Sequence, residues 1–404
     1  MSRSVIVVGG GASGLAAAIA AAEQGAYVTL LERLPRVGKK ILLTGNGRCN
    51  LGNLDTAFSH YHGTLPQAAR ILAGFDPVRY FRQFGLLTRT DAEGRIYPMS
   101  GTAASVLDAL RFAAAQRGVR MLCDKQVTAI SPKGNRWQVT AGNDHFTADA
   151  VIFAAGGSAA PNCGTDGNLL PMLRKMGYTV TEPKPALCPV LTDPAMVRAL
   201  KGLRVRAKAS AVRDGHILKT ESGEVQFTEQ ALSGICVFNL SRLAAQHGSS
   251  MEIALDLLPD LAADETTELL DELLTLRGDL PAGELLTGLF PKRIGEMLLR
   301  KAGGNCNAPA SEISAETRQN LTAMLHDLRF PVKGTASFAQ AQVTAGGIAG
   351  QCVSKVLESK LHKGIWFCGE LLDLDGDCGG FNLTWCWASG ITAGRSAAVG
   401  IASR

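Results

Sequence analysis

The chain has 404 residues, of which 46% are apolar and 19% are charged, so it can form a folded core and is not of disordered composition. At about 100–200 residues per domain, this length predicts two or three domains. The net charge of +5 is mild and no long run of Lys or Arg occurs, so nucleic-acid binding is not indicated. None of the ten cysteines forms a Cys-x-x-Cys pair, which excludes zinc-ribbon and thioredoxin-like sites and suits a reducing cytoplasm.

Neither a membrane segment nor a metal site is predicted. The apolar run near the N-terminus covers only Val5–Val8, which is too short for the core of a signal peptide. No stretch reaches the roughly 18 apolar residues of a membrane helix. His60 and His62 have no carboxylate partner at helical spacing, and the other histidines are scattered. We therefore expect a cytoplasmic protein without a membrane span or a bound metal.

The predicted elements begin with a βαβ unit, formed by a buried strand at 4–8, an Ala-rich helix at 13–24 and a second strand at 27–31. Helices follow at 66–84, where Pro77 starts a new helix, and at 102–117, where apolar residues share one face. The later predictions are β-rich sequence over 119–149 with a hairpin turn at Gly142-Asn143, a strand at 150–155, alternating β sequence at 203–228, helical sequence at 260–330, a strand at 365–368 and a helix at 383–402.

A glycine-rich turn joins the first predicted strand to the first helix. It reads Gly9-x-Gly11-x-x-Gly14, with Ala12 and Ser13 at the start of the helix. In this context the glycines allow a tight turn, close approach of a pyrophosphate and close packing of helix on strand. The helix N-terminus favours phosphate. Glu32 ends the second strand, where a carboxylate binds ribose hydroxyls. The pattern indicates dinucleotide binding rather than a purely structural turn, and it leaves open NAD or FAD.

A second glycine-rich segment near the C-terminus favours FAD. A buried strand leads into Gly369-Glu370, and an acidic loop then ends at Gly379-Gly380. A helix begins near Asn382, and we expect its N-terminus to point at the pyrimidine edge of a flavin and to stabilise negative charge there. The alternative is an ordinary terminal helix with a glycine-rich start.

Three blocks give the chain a specific resemblance to a known family. They read VIVVGGGASGLAAA (5–18), GKKILLTGNGRCNLGN (38–53) and GE–LDxDGxxGGFN–W–WASGxxAG (369–394), with shorter matches PALCPVL (185–191), QFTEQALSG (226–234) and VTAGGI (343–348). The sequence resembles the bacterial NAD(P)/FAD-dependent oxidoreductases that include BaiN-like proteins and aminoacetone oxidase. Where this family often has Ser-Gly-Pro, the chain has Ser233-Gly234-Ile235, which puts any carry-over of substrate in doubt.

The resemblance implies a fold class and a division into domains. The expected fold is α/β, with a discontinuous Rossmann-like FAD-binding domain at 1–185 and 345–404. A β-barrel-like insertion is expected at 186–256 and 331–344, and a helical domain at 257–330. A cluster of prolines near 185 and the return of β sequence near 335–344 agree with these boundaries.

The resemblance also implies which residues bind the cofactor. It places the loop from Thr44 to Asn50 at the flavin, where Arg48 either stabilises charge on the flavin or holds a substrate carboxylate. Lys39 and Lys40 are candidates to neutralise the pyrophosphate, with ordinary surface lysines as the alternative, and the backbone of Val127 is expected to meet adenine. The predicted FAD-binding residues are Gly9, Gly11, Ala12, Ser13, Gly14, Glu32, Arg33, Lys39, Lys40, Thr44, Gly45, Arg48, Asn50, Val127, Ala155, Gly156, Gly369, Glu370, Gly380, Phe381, Asn382 and Leu383. No catalytic acid or base is identified, and Cys49 lacks the neighbouring thiol that a disulfide reductase needs.

The sequence favours an FAD-dependent oxidoreductase that exchanges hydride with a small organic substrate. Only one Gly-x-Gly-x-x-Gly motif occurs, so no second Rossmann domain for a nicotinamide is expected. NAD(P)H therefore binds transiently in the substrate pocket, or oxygen turns over the flavin. The alternatives are a tRNA-modifying flavoprotein, a non-enzymatic FAD-binding protein and a plain NAD dehydrogenase. The oligomeric state is not indicated.

Overall fold

The computed structural model describes residues 2–400. They form two compact units, one of Met1–Lys184 with Ala341–Arg404 and the other of Pro185–Gln340. Strands and helices are numbered here along the whole chain. The predicted boundaries at 185 and 345 lie close to this division. The further division of the second unit into β-rich and helical domains stays a prediction.

The first unit contains the elements that the sequence predicted at both ends of the chain. Its strands are β1 (Ser4–Val8), β2 (Tyr27–Leu31), β3 (Gly52–Asn53), β4 (Tyr61–Gly63), β5 (Thr88–Thr90), β6 (Arg95–Pro98), β7 (Arg120–Leu122), β8 (Val127–Lys133), β9 (Arg136–Ala141), β10 (Asp144–Ala148), β11 (Ala150–Phe153), β12 (Val180–Ala186), β20 (Val343–Ile348), β21 (Ile365–Phe367) and β22 (Leu374–Gly376). Its helices are α1 (Ala12–Glu23), α2 (Ala68–Ala73), α3 (Pro77–Arg82), α4 (Ala103–Gln116), α5 (Leu170–Lys175) and α11 (Phe381–Val399).

A parallel five-stranded sheet in the order β21-β11-β1-β2-β7 forms the centre of the first unit. Its inner strands are almost fully buried, as expected of apolar, β-branched strands covered on both faces. Helices α1 and α11 pack closely against each other at two glycines. A Cβ added at Gly390 or Gly394 would lie within 2.4 Å of a backbone oxygen of α1, so a larger residue does not fit at either position. The Rossmann-like α/β class is confirmed.

Several predicted elements of this unit are confirmed with small shifts. Pro77 separates α2 from α3, since proline is tolerated at the start of a helix and not inside it. The hairpin of β9 and β10 turns at Gly142-Asn143. Helix α11 begins two residues before the predicted start at 383. The last two residues of the predicted helix, 401 and 402, lie outside the described residues.

The second unit combines one sheet with several helices. Its strands are β13 (Val190–Leu191), β14 (Arg204–Arg213), β15 (His216–Phe227), β16 (Ala231–Ser233), β17 (Met251–Asp256), β18 (Leu328–Pro331) and β19 (Gly334–Thr335). Its helices are α6 (Pro194–Val197), α7 (Ile235–His247), α8 (Ala263–Arg277), α9 (Lys292–Lys301) and α10 (Ala315–His326). One apolar core contains residues of the sheet and of the helices, such as Ile253 and Leu298.

The sheet of the second unit is open, which corrects the expected barrel-like form. Its strand order is β18-β17-β14-β15-β16-β13-β19, and the two end strands do not pair with each other within the described residues. A barrel requires that pairing, because closure removes both sheet edges. The strands predicted over 203–228 correspond to β14 and β15, which form a long antiparallel pair.

Candidate functional site

The glycine turn between β1 and α1 contains Gly9, Gly11 and Gly14, and the surroundings of Gly11 differ from those of the other two. A Cβ at Gly9 would lie 2.5 Å from the carbonyl oxygen of Ala154, and one at Gly14 would lie 1.9 Å from the carbonyl oxygen of Gly9. Both positions therefore need glycine for backbone packing. At Gly11, by contrast, an added Cβ would meet no atom within 4 Å. Gly11 thus leaves open space beside the N–H groups of the first turn of α1, which lack partners inside the helix.

Glu32 fixes this turn from the end of β2. Its Oε2 accepts a hydrogen bond of 2.7 Å from the N–H of Gly10, and its Oε1 accepts one of 2.8 Å from the N–H of Leu34. The side chain is buried, so these two bonds compensate for much of its lost hydration. Each carboxylate oxygen keeps a second lone pair for a further donor.

A cleft opens at the carboxyl ends of β1, β2 and β11. In parallel α/β sheets this edge is where ligands bind. The predicted residues that line it are Gly9, Gly11, Ala12, Ser13, Glu32, Arg33, Lys39, Lys40, Thr44, Val127, Ala155, Gly156, Glu370, Asn382 and Leu383. The structure therefore brings together residues from the N-terminal turn, the middle of the chain and the C-terminal block.

Other predicted residues lie outside this lining, namely Gly14, Gly45, Arg48, Asn50, Gly369, Gly380 and Phe381. The guanidinium of Arg48 lies 4.9 Å from the ring centroid of Tyr97. Gly369 and Gly380 serve close packing, because an added Cβ would lie 2.3 Å from the Ser13 hydroxyl and 2.4 Å from the Gly52 carbonyl oxygen respectively. That these seven residues contact the cofactor stays a prediction.

Sequence reasoning missed half of the lining. The further residues are Leu34, Arg36, Gly38, Ile41, Gln126, Ala154, Cys163, Gly164, Thr165, Asn168, Leu169, Gln342, Val343, Leu374, Trp385 and Cys386. Residues 163–169 carry no motif, and only the path of the chain after β11 brings them here. Arg36 could have been found, since it lies between Glu32 and Lys39 in the same short segment.

Lys40 and Glu370 form an ion pair in the wall of the cleft. The ammonium of Lys40 lies 2.8 Å from Oε2 of Glu370 and donates a second hydrogen bond to the carbonyl of Ala159. The other oxygen of Glu370 accepts from the backbone N–H of Thr344. These contacts tie the segment after β2 to the segment after β21. Burial raises the pKa of the neighbouring Cys386 thiol to about 12, so this thiol stays protonated at neutral pH.

Three of the four cations that line the cleft already have partners. Lys40 pairs with Glu370, Arg33 makes a two-point ion pair with Asp166 at 2.7 and 3.0 Å, and Lys39 donates to the carbonyl of Asn162 at 2.6 Å. The guanidinium of Arg36 has no hydrogen-bond or ion-pair partner among residues 2–400. Arg36 is therefore the cation best able to meet an anionic ligand.

The N-terminus of α11 forms another wall of the cleft. Gly380 precedes this helix with a φ of 103°, a conformation that favours glycine. The side chain of Asn382 accepts from the N–H of Gly376 at 2.9 Å and donates to its carbonyl at 2.7 Å, which fixes the acidic loop to the helix. A helix N-terminus carries partial positive charge and suits an anionic group. The space at Gly11, the α1 N-terminus and the α11 N-terminus together fit a dinucleotide with an electron-accepting ring.

The described part of the chain lacks two other features, a metal-binding group and a membrane-spanning helix. Residues 2–400 contain no group of three His, Cys, Asp or Glu side chains arranged for a metal ion. None of the helices described is both long enough and apolar enough to cross a bilayer.

Comparison with known proteins identifies the family. The sequence profile of the HI0933-like protein Rossmann domain matches residues 3–396. The chain is 37% identical to the 3-dehydro-bile acid delta(4,6)-reductase of Clostridium scindens, over 97% of this chain and 98% of that protein. It is 27% identical to the ribosomal RNA dihydrouridine synthase of Haemophilus influenzae, over 95% of this chain and 96% of that protein.

A solved structure supports the fold alone. The 3-ketosteroid delta1-dehydrogenase of Sterolibacterium denitrificans superimposes with a TM-score of 0.50 at 12% identity, covering 98% of this chain and 100% of that one. The resemblance found in the three sequence blocks is thus confirmed, and FAD is the cofactor that it implies. The chain belongs to the HI0933-like Rossmann family and is an FAD-dependent oxidoreductase.

Proposed function

We propose that the chain reduces a carbon–carbon double bond conjugated to a carbonyl group in a small organic molecule. The two kinds of curated relative act on different molecules, but the names delta(4,6)-reductase and dihydrouridine synthase both describe saturation of such a bond. The reductase is more similar to this chain, which favours a small apolar molecule over RNA. Bound FAD supplies the hydride chemistry, and the protein supplies binding, orientation and electrostatics.

The observation that carries the cofactor assignment is the open space at Gly11. A pyrophosphate placed there would receive hydrogen bonds from the first turn of α1, with no side chain in the way. We assign Arg36 to the same pyrophosphate, because its charge is not already compensated by a partner. Glu32 would accept from the ribose hydroxyls through its remaining lone pairs.

The Lys40–Glu370 pair has a different role in this proposal. Its charges compensate each other, so Lys40 adds little to phosphate binding. Its contacts to Ala159 and Thr344 instead hold four segments of the cleft wall in fixed positions, those that contain Lys40, Ala159, Thr344 and Glu370. A rigid wall orients a bound ring system and thereby favours hydride transfer in one geometry.

The electron donor in this proposal is NADH or NADPH. The chain has one Gly-x-Gly-x-x-Gly motif, so the nicotinamide would bind transiently where the organic substrate binds later. Oxygen as the acceptor of flavin electrons is the alternative, and it would make the protein an oxidase.

The first experiment is an anaerobic visible spectrum of the purified protein, with and without NADH or NADPH. Flavin bands that bleach on adding the nicotinamide are expected. Reoxidation is then measured with a 3-oxo-Δ4 steroid, with a saturated 3-oxo steroid as the matched control. Bleaching followed by recovery with the unsaturated steroid alone supports the proposal, and absence of flavin bands after adding FAD refutes it.

A second candidate is reduction of uridine in RNA. It is favoured by the match to the dihydrouridine synthase along almost the whole chain. It would contradict the prediction that the protein binds no nucleic acid. Recovery of the flavin bands with unmodified ribosomal RNA, and not with the steroid, would establish this candidate instead.

A further inference from the structure

Two loops that line the cleft contact each other. One loop, residues 33–40, follows β2 and contains the four cations of the lining; the other, residues 159–168, lies between β11 and α5. In the parallel sheet β1 lies between β2 and β11, and neighbouring strands are about 4.8 Å apart. Contacts between the two loops therefore span the position of β1, whose carboxyl end leads into the glycine turn. We name residues 159–168 the strap.

Two lysines of the 33–40 loop bind the backbone of the strap. The ammonium of Lys39 donates to the carbonyl of Asn162 at 2.6 Å. The ammonium of Lys40 donates to the carbonyl of Ala159 at 3.2 Å. Both acceptors are uncharged, so these bonds position the strap without compensating the charge of the lysines.

The ion pair of Arg33 with Asp166 is the third contact between the two loops. The guanidinium meets both carboxylate oxygens, at 2.7 and 3.0 Å, a geometry that is stronger and more directional than a single contact. This bonding is the main reason why the pKa of the Asp166 carboxyl lies below its ordinary value and the pKa of the Arg33 guanidinium above it. The two side chains are 26% and 37% exposed, so water competes for the pair. The pair thus favours the closed strap by a modest amount and can open without unfolding the sheet.

The backbone fixes the base of the strap. The hydroxyl of Thr344 accepts from the N–H groups of Ser158 and Ala159, at 2.8 and 3.0 Å. At the other end, the N–H of Gly167 donates to the carbonyl of Gly157 at 3.0 Å. The part between these anchors is the part that an opening movement would displace.

The strap has an inner and an outer side. Asn162 and Asp166 are exposed, whereas Cys163 lines the cleft and is only 8% exposed. Gly164 packs against the opposite loop, where an added Cβ would lie 3.1 Å from the side chain of Leu34. A dinucleotide bound along the glycine turn would therefore lie between that turn and the inner side of the strap.

We propose that the strap closes over bound FAD, that the Arg33–Asp166 pair holds it closed, and that it opens each time FAD enters or leaves. This inference rests on the proposed function, because it places FAD beside the glycine turn. In this proposal the pair closes the strap both with and without FAD. Weakening the pair therefore raises the association and dissociation rate constants together and leaves their ratio nearly unchanged. Loss of a direct contact to FAD would instead act mainly on the dissociation rate constant.

The test is the kinetics of FAD exchange in the full chain. Asp166→Asn removes the charge and keeps an oxygen that can accept from the N–H of Asn168, as Asp166 does at 3.2 Å. Quenching of flavin fluorescence follows association, and its recovery on dilution of the holoenzyme follows dissociation. We expect both rate constants to rise about fivefold, which corresponds to about 1 kcal/mol, the upper value for an exposed ion pair.

Asp91→Asn is the matched control. Asp91 pairs with Arg95 at 2.8 Å, is similarly exposed at 32%, and also accepts from a backbone N–H, but it lies outside the cleft lining. Both rate constants should keep their wild-type values in this variant. Arg33→Lys keeps the positive charge and loses the two-point geometry, so it should give a smaller rise than Asp166→Asn.

The opening of the strap has a second readout that needs no flavin signal. In the FAD-free chain, Cys163 should react with a maleimide about fivefold faster in Asp166→Asn than in wild type, as measured for each peptide by mass spectrometry. Cys352, which is buried in the same unit outside the cleft lining, should keep its rate and so report on general unfolding. The inference is overturned if the two rate constants do not rise together, or if Cys163 labelling is equal in the two proteins. A wild type that binds no FAD would instead contradict the proposed function.

Discussion

The ammonium of Lys40 lies 2.8 Å from a carboxylate oxygen of Glu370, although 330 residues separate them in the chain. Lys40 follows the inner strand β2 and Glu370 follows the edge strand β21, so the pair connects segments that follow non-adjacent strands of the parallel sheet. Removing one partner would leave a largely buried charge without compensation, which costs more than the pair itself contributes.

Replacing Lys40 with Met should therefore destabilise the first unit by about 2 kcal/mol, the range of a lost hydrogen bond to a charged group. All four tryptophans lie in this unit, so denaturant unfolding followed by tryptophan fluorescence reports on it alone. Lys40→Met combined with Glu370→Gln should recover part of the loss. If the double variant loses as much stability as Lys40→Met and Glu370→Gln lose together, the two residues do not act as a pair.

Gly11 and Gly14 should respond differently to alanine. Gly14→Ala places a methyl group 1.9 Å from the Gly9 carbonyl oxygen, and we expect a loss of about 3 kcal/mol in the free energy of unfolding. Gly11→Ala meets nothing within 4 Å, so the FAD-free protein should keep its stability. Its FAD affinity should fall about tenfold, which corresponds to 1.4 kcal/mol. Unchanged affinity in Gly11→Ala would place the pyrophosphate elsewhere.

Arg36→Ala should weaken binding of FAD and not of riboflavin, which lacks the pyrophosphate. A tenfold loss for FAD is about 1.4 kcal/mol, the scale expected of one charge-assisted contact. Arg79→Ala, at a cation of α3 outside the cleft lining, is the matched control. Dissociation constants from quenching of flavin fluorescence provide the measurement. An equal loss for riboflavin would mean that Arg36 acts on the ring and not on the phosphates.

The stability of the first unit should decline in alkali because of Cys386, a partly buried thiol in the wall of the cleft. Burial raises the pKa of Cys386 from 9.0 to about 12, so above pH 9 the unfolded chain loses this proton while the folded chain keeps it. Stability from this group is thus fully present below pH 9 and is lost as pH rises toward 12, by about 1.4 kcal/mol per pH unit. Unfolding of wild type and Cys386→Ala at several pH values tests this. Parallel pH dependences in the two proteins would contradict it.

The sequence predicted the parts of the site that are defined by local backbone requirements. Gly9, Gly11, Gly14 and Glu32 follow one another within a single βαβ unit, so their spacing alone fixes their relation.

What the sequence could not predict depends on contacts between distant segments. The partner of Lys40 is set by the return of the chain at β21, and the partner of Arg33 is Asp166, which carries no motif. The position of the Arg48 guanidinium over the ring of Tyr97 is likewise a contact that sequence spacing does not indicate, and the role of Arg48 at the cofactor stays a prediction.

The position of β11 between β1 and β21 has a consequence for biosynthesis. The sheet that contains Ser4–Val8 reaches its full width only when Ile365–Phe367 is available, so it stays incomplete until residue 367 has emerged from the ribosome. The second unit is continuous from Pro185 to Gln340 and needs no such delay. We therefore expect the second unit to reach its native contacts before the sheet of the first unit is complete. Until β21 is available, the parallel sheet of the first unit would expose the edge of β11, a surface that a chaperone could shield during translation.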